Sequence, residues 1–447
     1  MHYLAARLWS HRVRLAWVGL LVVIAASYAT ALPSVTSDSR LSTLVSLSII
    51  HEHNVELDEY GTAIDQTQPY LSTRSGGHIL SVYPYGGPLM AMPLIALADL
   101  RAGLSGPNLD DQARAGKISG GVEFWAAVII AYASVLLMAV TLHRMRAPHL
   151  IALLLTAGWA LAGPLASTGA RGLWQHGPAG LALVAATLGV VEVERRTAAA
   201  PDRSLVAPLL LAGFAAAYGP YIRATTGVAD LLLIAACAWL VVRAHRPRSI
   251  IWLFVGAVAG ATPYLLTRSV TVDGGYQSPT GLGALSIGNL PRGLLGVLVS
   301  PSRGVLIWCP FLVVAVIIVA RRLDRSRLLP VCLGVGALSV LGFTAAWPGW
   351  WGGYSVGPRL MSEFTTLTVL FVGSMARGLV IHRSAIAVLA AVILLGAGLH
   401  WIGAHRTVMD QWNTSPNVDE HQSRLWSWSD SQLLAWFHFP REGAGSP

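Results

Sequence analysis

Charged residues are scarce in this chain of 447 residues, since only 12% are Asp, Glu, Lys or Arg, against roughly 25% in an ordinary soluble domain. This scarcity excludes a water-soluble enzyme. The high hydrophobic fraction of 54% also excludes a disordered chain and a coiled coil. Cysteine is rare too: Cys237, Cys309 and Cys332 lie in apolar runs without paired spacing, so we expect neither a disulfide scaffold nor a thiolate metal centre. What remains is the composition of a polytopic α-helical membrane protein.

Lysine is almost absent as well. Lys117 is the only one, so the formal net charge of +9 is carried nearly entirely by arginine. In a membrane protein, basic residues first report the orientation of loops, and we therefore predict no nucleic-acid partner. Because a guanidinium group suits bidentate contact with phosphate or carboxylate, arginines outside the cytoplasmic loops are candidates for binding an anion.

Apolar runs recur along the chain and predict an all-α bundle of about eleven transmembrane helices, because helices satisfy their own backbone in lipid. The runs cover residues 15–32, 120–142, 148–166, 178–194, 205–218, 225–242, 250–267, 303–320, 329–347, 361–376 and 384–401.

Basic residues alternate between the loops of this bundle. Arg7, Arg12 and Arg14 precede the first run and predict a cytoplasmic N-terminus in a multi-pass protein of the cell membrane. Every second later loop is also basic, which supports the count of eleven and places the C-terminus and the intervening loops outside. Ala29-Thr30-Ala31 resembles a signal-peptidase site, so cleavage of the first run is an alternative to an uncleaved anchor.

The expected organisation is one membrane domain, residues 1–401, with a large first external loop at 33–119 and an external tail at 402–447. Inside that loop, residues 88–104 are apolar but short and contain two prolines, which predicts an interfacial helix on the outer leaflet. The tail is too rich in aromatic residues to be disordered, and we expect it to fold back on the outer surface.

Asp38 is the first chemically interesting residue, because it follows the first run directly and precedes an apolar stretch with helical spacing at 41–50. A carboxylate at the outer membrane boundary can act as a general base toward a hydroxyl group, or hold a cation. It can equally cap the helix that begins near Arg40. The local sequence leaves both interpretations open.

External segments that combine aromatic and polar side chains are candidates for binding a sugar or an acceptor. Tyrosines in the turn-rich segment 79–88 can stack on a sugar or lie among lipid headgroups. In the segment 169–178 an indole, an amide and an imidazole are adjacent, although the imidazole can also bond a backbone carbonyl. The segment 347–359 adds further aromatic residues. The candidates are Tyr83, Tyr85, Trp174, Gln175, His176, Trp351 and Tyr354, together with the acids Glu52 and Asp58 of the first loop.

Four external arginines are candidates for binding the phosphate of a donor: Arg171, Arg223, Arg303 and Arg359. A guanidinium group near a helix N-terminus gains nothing from the helix dipole, so it needs an anion. Phosphate bound by arginine together with backbone N–H groups meets that need. For Arg303 and Arg359, the alternatives are a pair with Glu363 or a lipid headgroup.

These features together resemble the GT-C glycosyltransferases, and more narrowly the bacterial branch related to protein O-mannosyltransferases and aminoarabinose transferases. The resemblance is carried by an acid after the first span, an amphipathic helix, a Tyr-Pro stretch, a second interfacial helix and a long series of spans. Residues 300–304 and 350–359 are similar to stretches that recur in uncharacterised bacterial members.

The resemblance implies transfer of a hexosyl or pentosyl group from a polyprenyl-phosphate donor to a glycan, lipid or protein acceptor of the envelope, on the extracytoplasmic side. It places Asp38 at the reaction centre, as a base opposite arginines that hold the phosphate, in a single displacement with inversion. Many relatives have paired acids here, whereas Ser37 and Ser39 flank a lone Asp38, so Glu52 or Asp58 can share its role.

We predict no cofactor, because the sequence has no zinc-ligand spacing, Walker loop or nucleophile elbow. No metal ligand is assigned, although a divalent ion is not excluded. The alternative function is a transporter or flippase of lipid-linked saccharides, whose mark would be charges inside the membrane. Only Asp230 and Glu123, near span ends, fit that pattern. A non-catalytic scaffold for envelope assembly is a third possibility.

Overall fold

The structure is a computed structural model, and it describes residues 2–34, 37–67, 72–75, 77–117, 120–199, 203–267, 285–320 and 327–438. The side chain of Asp38 lies outside the described part, although its backbone belongs to a short helix. Twenty α-helices and one hairpin are found in these ranges. In chain order the helices are α1 (His2–Ala29), α2 (Ser37–Arg40), α3 (Ser42–His51), α4 (Gly61–Thr67), α5 (Gly86–Gly103), α6 (Leu109–Arg114), α7 (Gly120–Arg144), α8 (His149–Leu161), α9 (His176–Ala199), α10 (Val206–Ile222), α11 (Gly227–Arg243), α12 (Ile250–Thr267), α13 (Leu290–Val299), α14 (Val305–Trp308), α15 (Phe311–Ala320), α16 (Leu328–Ala346), α17 (Ser362–Met375), α18 (Arg383–His405), α19 (Val408–Thr414) and α20 (Ala435–His438).

Long apolar helices dominate this fold. Seven helices in the described part of the chain are long and apolar enough to cross a membrane, and they lie in α1, α7, α9, α11, α12, α16 and α18. The other four predicted runs contain the shorter helices α8, α10, α15 and α17. Every predicted run therefore contains a helix, and the all-α membrane bundle is confirmed. Among the described helices, seven rather than eleven are both long enough and apolar enough to span a membrane.

The run at 303–320 is not one continuous helix. Its helical part is divided between α14 and α15, with Cys309 and Pro310 between them. Proline has no backbone N–H and its ring clashes with the preceding turn, which accounts for the break.

Large apolar side chains on the outside of the bundle mark the surface that faces lipid. On α12 Phe254 is 62% exposed, and on α18 Leu394 is 73% exposed. A soluble protein rarely exposes contiguous apolar surface of this kind, whereas a bilayer covers it. The protein is therefore a membrane protein.

The first loop folds into a packed unit. Seven of the ten residues of α3 are buried, and the helix packs against α5, α6 and α7. The antiparallel strands β1 (Ser72–Ser75) and β2 (His78–Ser81) form a hairpin beside it, with Ser72 opposite Ser81. Neighbouring helices thus cover most of the apolar residues of α3.

Helix α5 anchors this unit. It contains Pro93, as the sequence predicted for an interfacial helix, and it carries a buried acid, Asp99. Asp99 Oδ2 lies 3.0 Å from His51 Nε2, and Asp99 Oδ1 accepts a hydrogen bond of 2.8 Å from the backbone N–H of Leu109. One carboxylate therefore joins α3, α5 and α6.

Gly86 sets how closely the first loop approaches the bundle. The phenol of Tyr218 on α10 donates a 2.7 Å hydrogen bond to the carbonyl of Gly86. A Cβ atom at Gly86 would lie 2.8 Å from the backbone of Tyr221 and Ile222, whereas one at Gly87 would meet only Pro178 at 3.9 Å. Backbone atoms cannot give way as a flexible side chain can.

We expect Gly86→Ala to lower the thermal unfolding midpoint of the purified protein, corresponding to about 1–3 kcal/mol for an overpacked contact. Gly87→Ala is the matched control and should leave the midpoint within experimental error. Equal melting of the two variants would contradict the close packing of α5 on α10.

Candidate functional site

The segment before α9 forms one wall of the site. Gly172 has no room for a side chain, because a Cβ atom there would lie 2.7 Å from the carbonyl oxygen of Ser34. The backbone N–H of Leu173 donates to Glu123 Oε1 at 3.1 Å. These contacts hold the segment against α7 and fix the direction in which Trp174, Gln175 and His176 enter α9.

The segment between α16 and α17 forms the opposite wall. Glycines at 352, 353 and 357 adopt φ values of +76°, +61° and +57°, a region that favours glycine because it has no Cβ atom. The resulting turns present Trp351 and Tyr354 to one side. The segment ends at Arg359, directly before α17.

A cavity of about 660 Å³ lies between these walls, within the size range of sites for small ligands. We call it the candidate cavity. Eight residues predicted from sequence line it together: Tyr83, Trp174, Gln175, His176, Arg223, Trp351, Tyr354 and Arg359. Apolar residues on α16 and beside it, including Phe343 and Trp347, complete the lining.

An acid lies beneath the cavity. Glu363 is fully buried in the first turn of α17, where the helix dipole favours a negative charge. Glu363 Oε1 lies 2.9 Å from His176 Nδ1, and Glu363 Oε2 lies 3.3 Å from Arg223 Nε. One buried carboxylate therefore orients both the imidazole and the guanidinium. Arg223, which the sequence did not suggest as a partner of Glu363, makes this ion pair.

Arg359 is held by an aromatic face and a carbonyl. Its guanidinium carbon lies 4.2 Å from the ring centroid of Trp174, a geometry in which a cation is attracted to the π face. Its Nη2 donates a 2.8 Å hydrogen bond to the carbonyl of Gly352. These contacts join the two walls and place a second guanidinium group beside that of Arg223.

The C-terminal tail contributes to the cavity as well. Asp419 lines it and accepts a 2.7 Å hydrogen bond from Trp351 Nε1. Asp419 was not among the predicted residues, since nothing in the sequence connects an acid in the tail with an indole 68 positions earlier. Glu363 was considered only as a pairing partner of Arg303 or Arg359, since nothing local connects it with His176 or Arg223, which lie far away in the sequence.

Arg171 and Arg303 lie outside the residues that line the cavity, and each is 1% exposed. Arg171 donates to the carbonyls of Leu32 and Gly403, both at 2.8 Å, and pairs with Asp410 at 3.1 Å. These contacts join the end of α1 to α18 and α19. Arg171 thus connects helices in this structure. Its predicted contact with phosphate stays a prediction.

Arg303 connects the wall of the cavity to the tail. It donates to the carbonyls of Trp351 at 2.9 Å and Gly353 at 3.1 Å, and to Asn413 Oδ1 at 2.7 Å. It also donates a hydrogen bond to the side chain of Gln432.

We expect Arg303→Gln to lower the melting temperature and to make the tail at 406–438 sensitive to protease, because each buried acceptor left unpaired costs roughly 1–3 kcal/mol. A stable, protease-resistant variant would contradict this arrangement.

The remaining predicted residues lie within the first loop. Arg114 pairs with Glu52 and, at 2.7 Å, with Asp110. Asp58 accepts a 2.6 Å hydrogen bond from the backbone of Ile79. Tyr85 is buried directly before α5. Among the residues predicted in this loop whose side chains the structure describes, only Tyr83 lines the cavity.

One group of described residues could hold a divalent metal ion. The ligand atoms of Glu56, Asp58 and His78 lie within 4.8 Å of one another. The hydrogen bond to Asp58 and the charge of Glu56 raise the pKa of His78. A carboxylate–imidazole set of this kind suits zinc or a similar ion.

Helix α2, which carries Asp38, is joined to the wall that contains Trp174. Ser34 donates its backbone N–H to the carbonyl of Arg171 at 2.8 Å, and the Ser42 hydroxyl donates to the carbonyl of Leu173 at 3.5 Å. The backbone on either side of Asp38 is thus attached to the segment that enters the cavity.

The fold and the site define a polytopic helical membrane protein in which an arginine-containing, aromatic cavity lies against a packed first loop. No protein-family model and no curated protein matches the chain. The chain is similar to the crystal structure of ArnT from Cupriavidus metallidurans in the apo state, with a TM-score of 0.50 and 12% identity over 93% of this chain and 81% of that chain. A second crystal structure of that protein, bound to undecaprenyl phosphate, has a TM-score of 0.49 and 13% identity over 96% and 85% of the two chains. At this identity the likeness to the apo structure shows the fold, and the predicted GT-C-like architecture is confirmed.

Proposed function

We propose that the protein is an integral membrane glycosyltransferase that moves a sugar from a polyprenyl-phosphate donor to an acceptor of the cell envelope. The observation that carries the proposal is the candidate cavity, in which two guanidinium groups, several aromatic faces and apolar side chains meet in a protein with a GT-C-type fold. A polyprenyl-phosphate sugar has the matching parts: an anion, a pyranose or furanose ring and an apolar chain.

Arg223 and Arg359 are proposed to hold the donor phosphate. Cleavage of a glycosyl phosphate places negative charge on the leaving phosphate and positive charge on the sugar. The contacts of Arg223 with Glu363 and of Arg359 with Trp174 restrict both guanidinium groups before a ligand arrives, which supports a preorganised anion site.

Asp38 is proposed as the base. It takes the proton of the acceptor hydroxyl, the acceptor oxygen bonds the anomeric carbon from the face opposite the phosphate, and the C–O bond to phosphate breaks with its electron pair moving to the leaving phosphate. Transfer then proceeds with inversion. The attachment of the chain on either side of Asp38 to Arg171 and Leu173 supports this role, because the segment that contains them continues into the cavity lining at Trp174.

The aromatic residues Trp174, Trp351 and Tyr354, with Gln175 and Tyr83, are proposed to contact the sugar or the acceptor. Aromatic faces stack on sugar rings and amides bond their hydroxyl groups. We propose that the transferred sugar is a hexosyl or pentosyl group. In the orientation that the basic loops predict, the cavity opens to the extracytoplasmic side.

The test is incubation of the purified full-length protein with radiolabelled polyprenyl-phosphate hexoses and pentoses, together with an envelope extract as acceptor. Release of polyprenyl phosphate with transfer of label is the expected result. Label carried across the bilayer of proteoliposomes without release of the phosphate would instead identify a transporter or flippase. Binding without transfer or translocation would identify a scaffold.

A further inference from the structure

A second cavity lies at the other end of the helices. Helix α9 begins at the candidate cavity with His176 and reaches the second cavity at Arg195, about 28 Å away at 1.5 Å per residue. Helix α16 likewise lines the candidate cavity near its C-terminus and the second cavity near its N-terminus. The second cavity, of about 540 Å³, is therefore separate from the proposed active site. We call it the basic cavity.

Arginines from five different parts of the chain converge on this cavity. They are Arg144, Arg146, Arg195, Arg243, Arg327 and Arg377, and the one acid among the described lining residues is Glu194. Placing so many guanidinium groups around one space is unfavourable through mutual repulsion unless an anion is bound among them.

Within the described part of the chain, carboxylates compensate only part of this charge. Glu192 forms ion pairs with three guanidinium groups, those of Arg195 at 2.8 Å, Arg144 at 3.3 Å and Arg196 at 3.6 Å. Among the described residues, none forms an ion pair with Arg243 or Arg377. These two side chains are exposed and flank the cavity from the ends of α11 and α17.

Apolar side chains line the remainder of the basic cavity. Trp239 and Leu240 on α11 face Leu328 and Leu329 at the start of α16, and Trp239 is 56% exposed on the outer surface of the bundle. An anion that fits here therefore has acidic oxygens next to an apolar part. A free inorganic anion would leave the apolar lining without a partner.

We propose that the basic cavity binds the phosphate-bearing headgroup of an anionic phospholipid, with the acyl chains lying along Trp239 and the apolar surface of the bundle. Basic pockets between membrane helices are suited to such headgroups, because arginine donates bidentate hydrogen bonds to phosphate. In the orientation that the basic loops predict, the lipid belongs to the cytoplasmic leaflet. The bound lipid then neutralises the cluster and stabilises this end of the helices.

The test compares the wild-type protein with the double variant Arg243→Ala/Arg377→Ala. The matched control is Arg248→Ala/Arg383→Ala, which removes two exposed arginines from the same end of the bundle but outside the cavity lining. Each protein is melted in micelles of neutral phosphatidylcholine and in the same micelles with added cardiolipin. Native mass spectrometry counts the lipids that stay bound.

Cardiolipin should raise the melting temperature of the wild-type and control proteins by several degrees. It should have little effect on the cavity variant, whose affinity for cardiolipin should fall roughly tenfold or more. Inorganic phosphate should not reproduce the stabilisation, and added salt should weaken it. An equal response of the two double variants would overturn the proposal, and an equal effect of inorganic phosphate would show a site for the free anion instead.

Discussion

Asp38→Asn should abolish glycosyl transfer while leaving expression, membrane insertion and the melting temperature unchanged. A general base contributes roughly 10²- to 10⁴-fold to the rate, so kcat should fall by that order with little change in the KM for the donor. Initial rates of label transfer from the polyprenyl-phosphate sugar would measure both parameters.

This substitution separates the two interpretations of Asp38. Asparagine is as good a helix cap as aspartate, so a residue that only caps the helix predicted to begin near Arg40 would tolerate the change. Asparagine cannot accept a proton at neutral pH, so a base would not. Asp65→Asn, an exposed acid in the same loop, is the control and should retain full activity. Full activity of the Asp38 variant would show that Asp38 is not the base. Glu52 and Asp58 would then be the acids to substitute next.

Arg359→Gln should raise the KM for the donor by roughly 10- to 100-fold, because a hydrogen bond to a charged group contributes about 1.5–3 kcal/mol. The effect on kcat depends on how much charge the phosphate gains in the transition state. The donor KM of Arg359→Lys should lie between those of the wild-type protein and Arg359→Gln. Lysine keeps the charge but loses the planar, bidentate contact and the stacking on Trp174.

Arg406→Gln is the matched control for Arg359. Arg406 also lies over a tryptophan ring, that of Trp436 at 5.4 Å, but it is not part of the cavity lining. Its loss should change stability slightly and the donor KM not at all. A donor KM that responds equally to both substitutions would show that general electrostatics, and not the candidate cavity, governs donor binding.

Much of the architecture was predictable because a bilayer imposes a simple rule on sequence. Each apolar run contains a helix, since unpaired backbone groups are too costly in lipid. Local chemistry also pointed to short segments that the structure brings together, since residues from 174–176 and from 351–359 line one cavity. Their common feature is an aromatic residue next to a polar one at the end of an apolar run.

The roles of the individual arginines were less predictable. Arg171, Arg303 and Arg359 all occupy similar positions at the ends of runs, yet only Arg359 lines the cavity. Whether a guanidinium group faces a ligand or the carbonyls of a neighbouring helix depends on which segments pack beside it. Arg303 meets Asn413 and Gln432, more than 100 positions away, and no local pattern contains that information.

The sequence by itself determined the class of this protein, because its charge content, its hydropathy and the alternation of its basic loops each report directly on a bilayer. It also indicated which chain segments carry polar chemistry. Only the tertiary structure decided which side chains share a space: Glu363 beneath His176 and Arg223, Asp419 against Trp351, and the arginines of the basic cavity. The physical reason is that membrane insertion depends on the content of each segment, whereas a site depends on distances between segments, which packing alone sets.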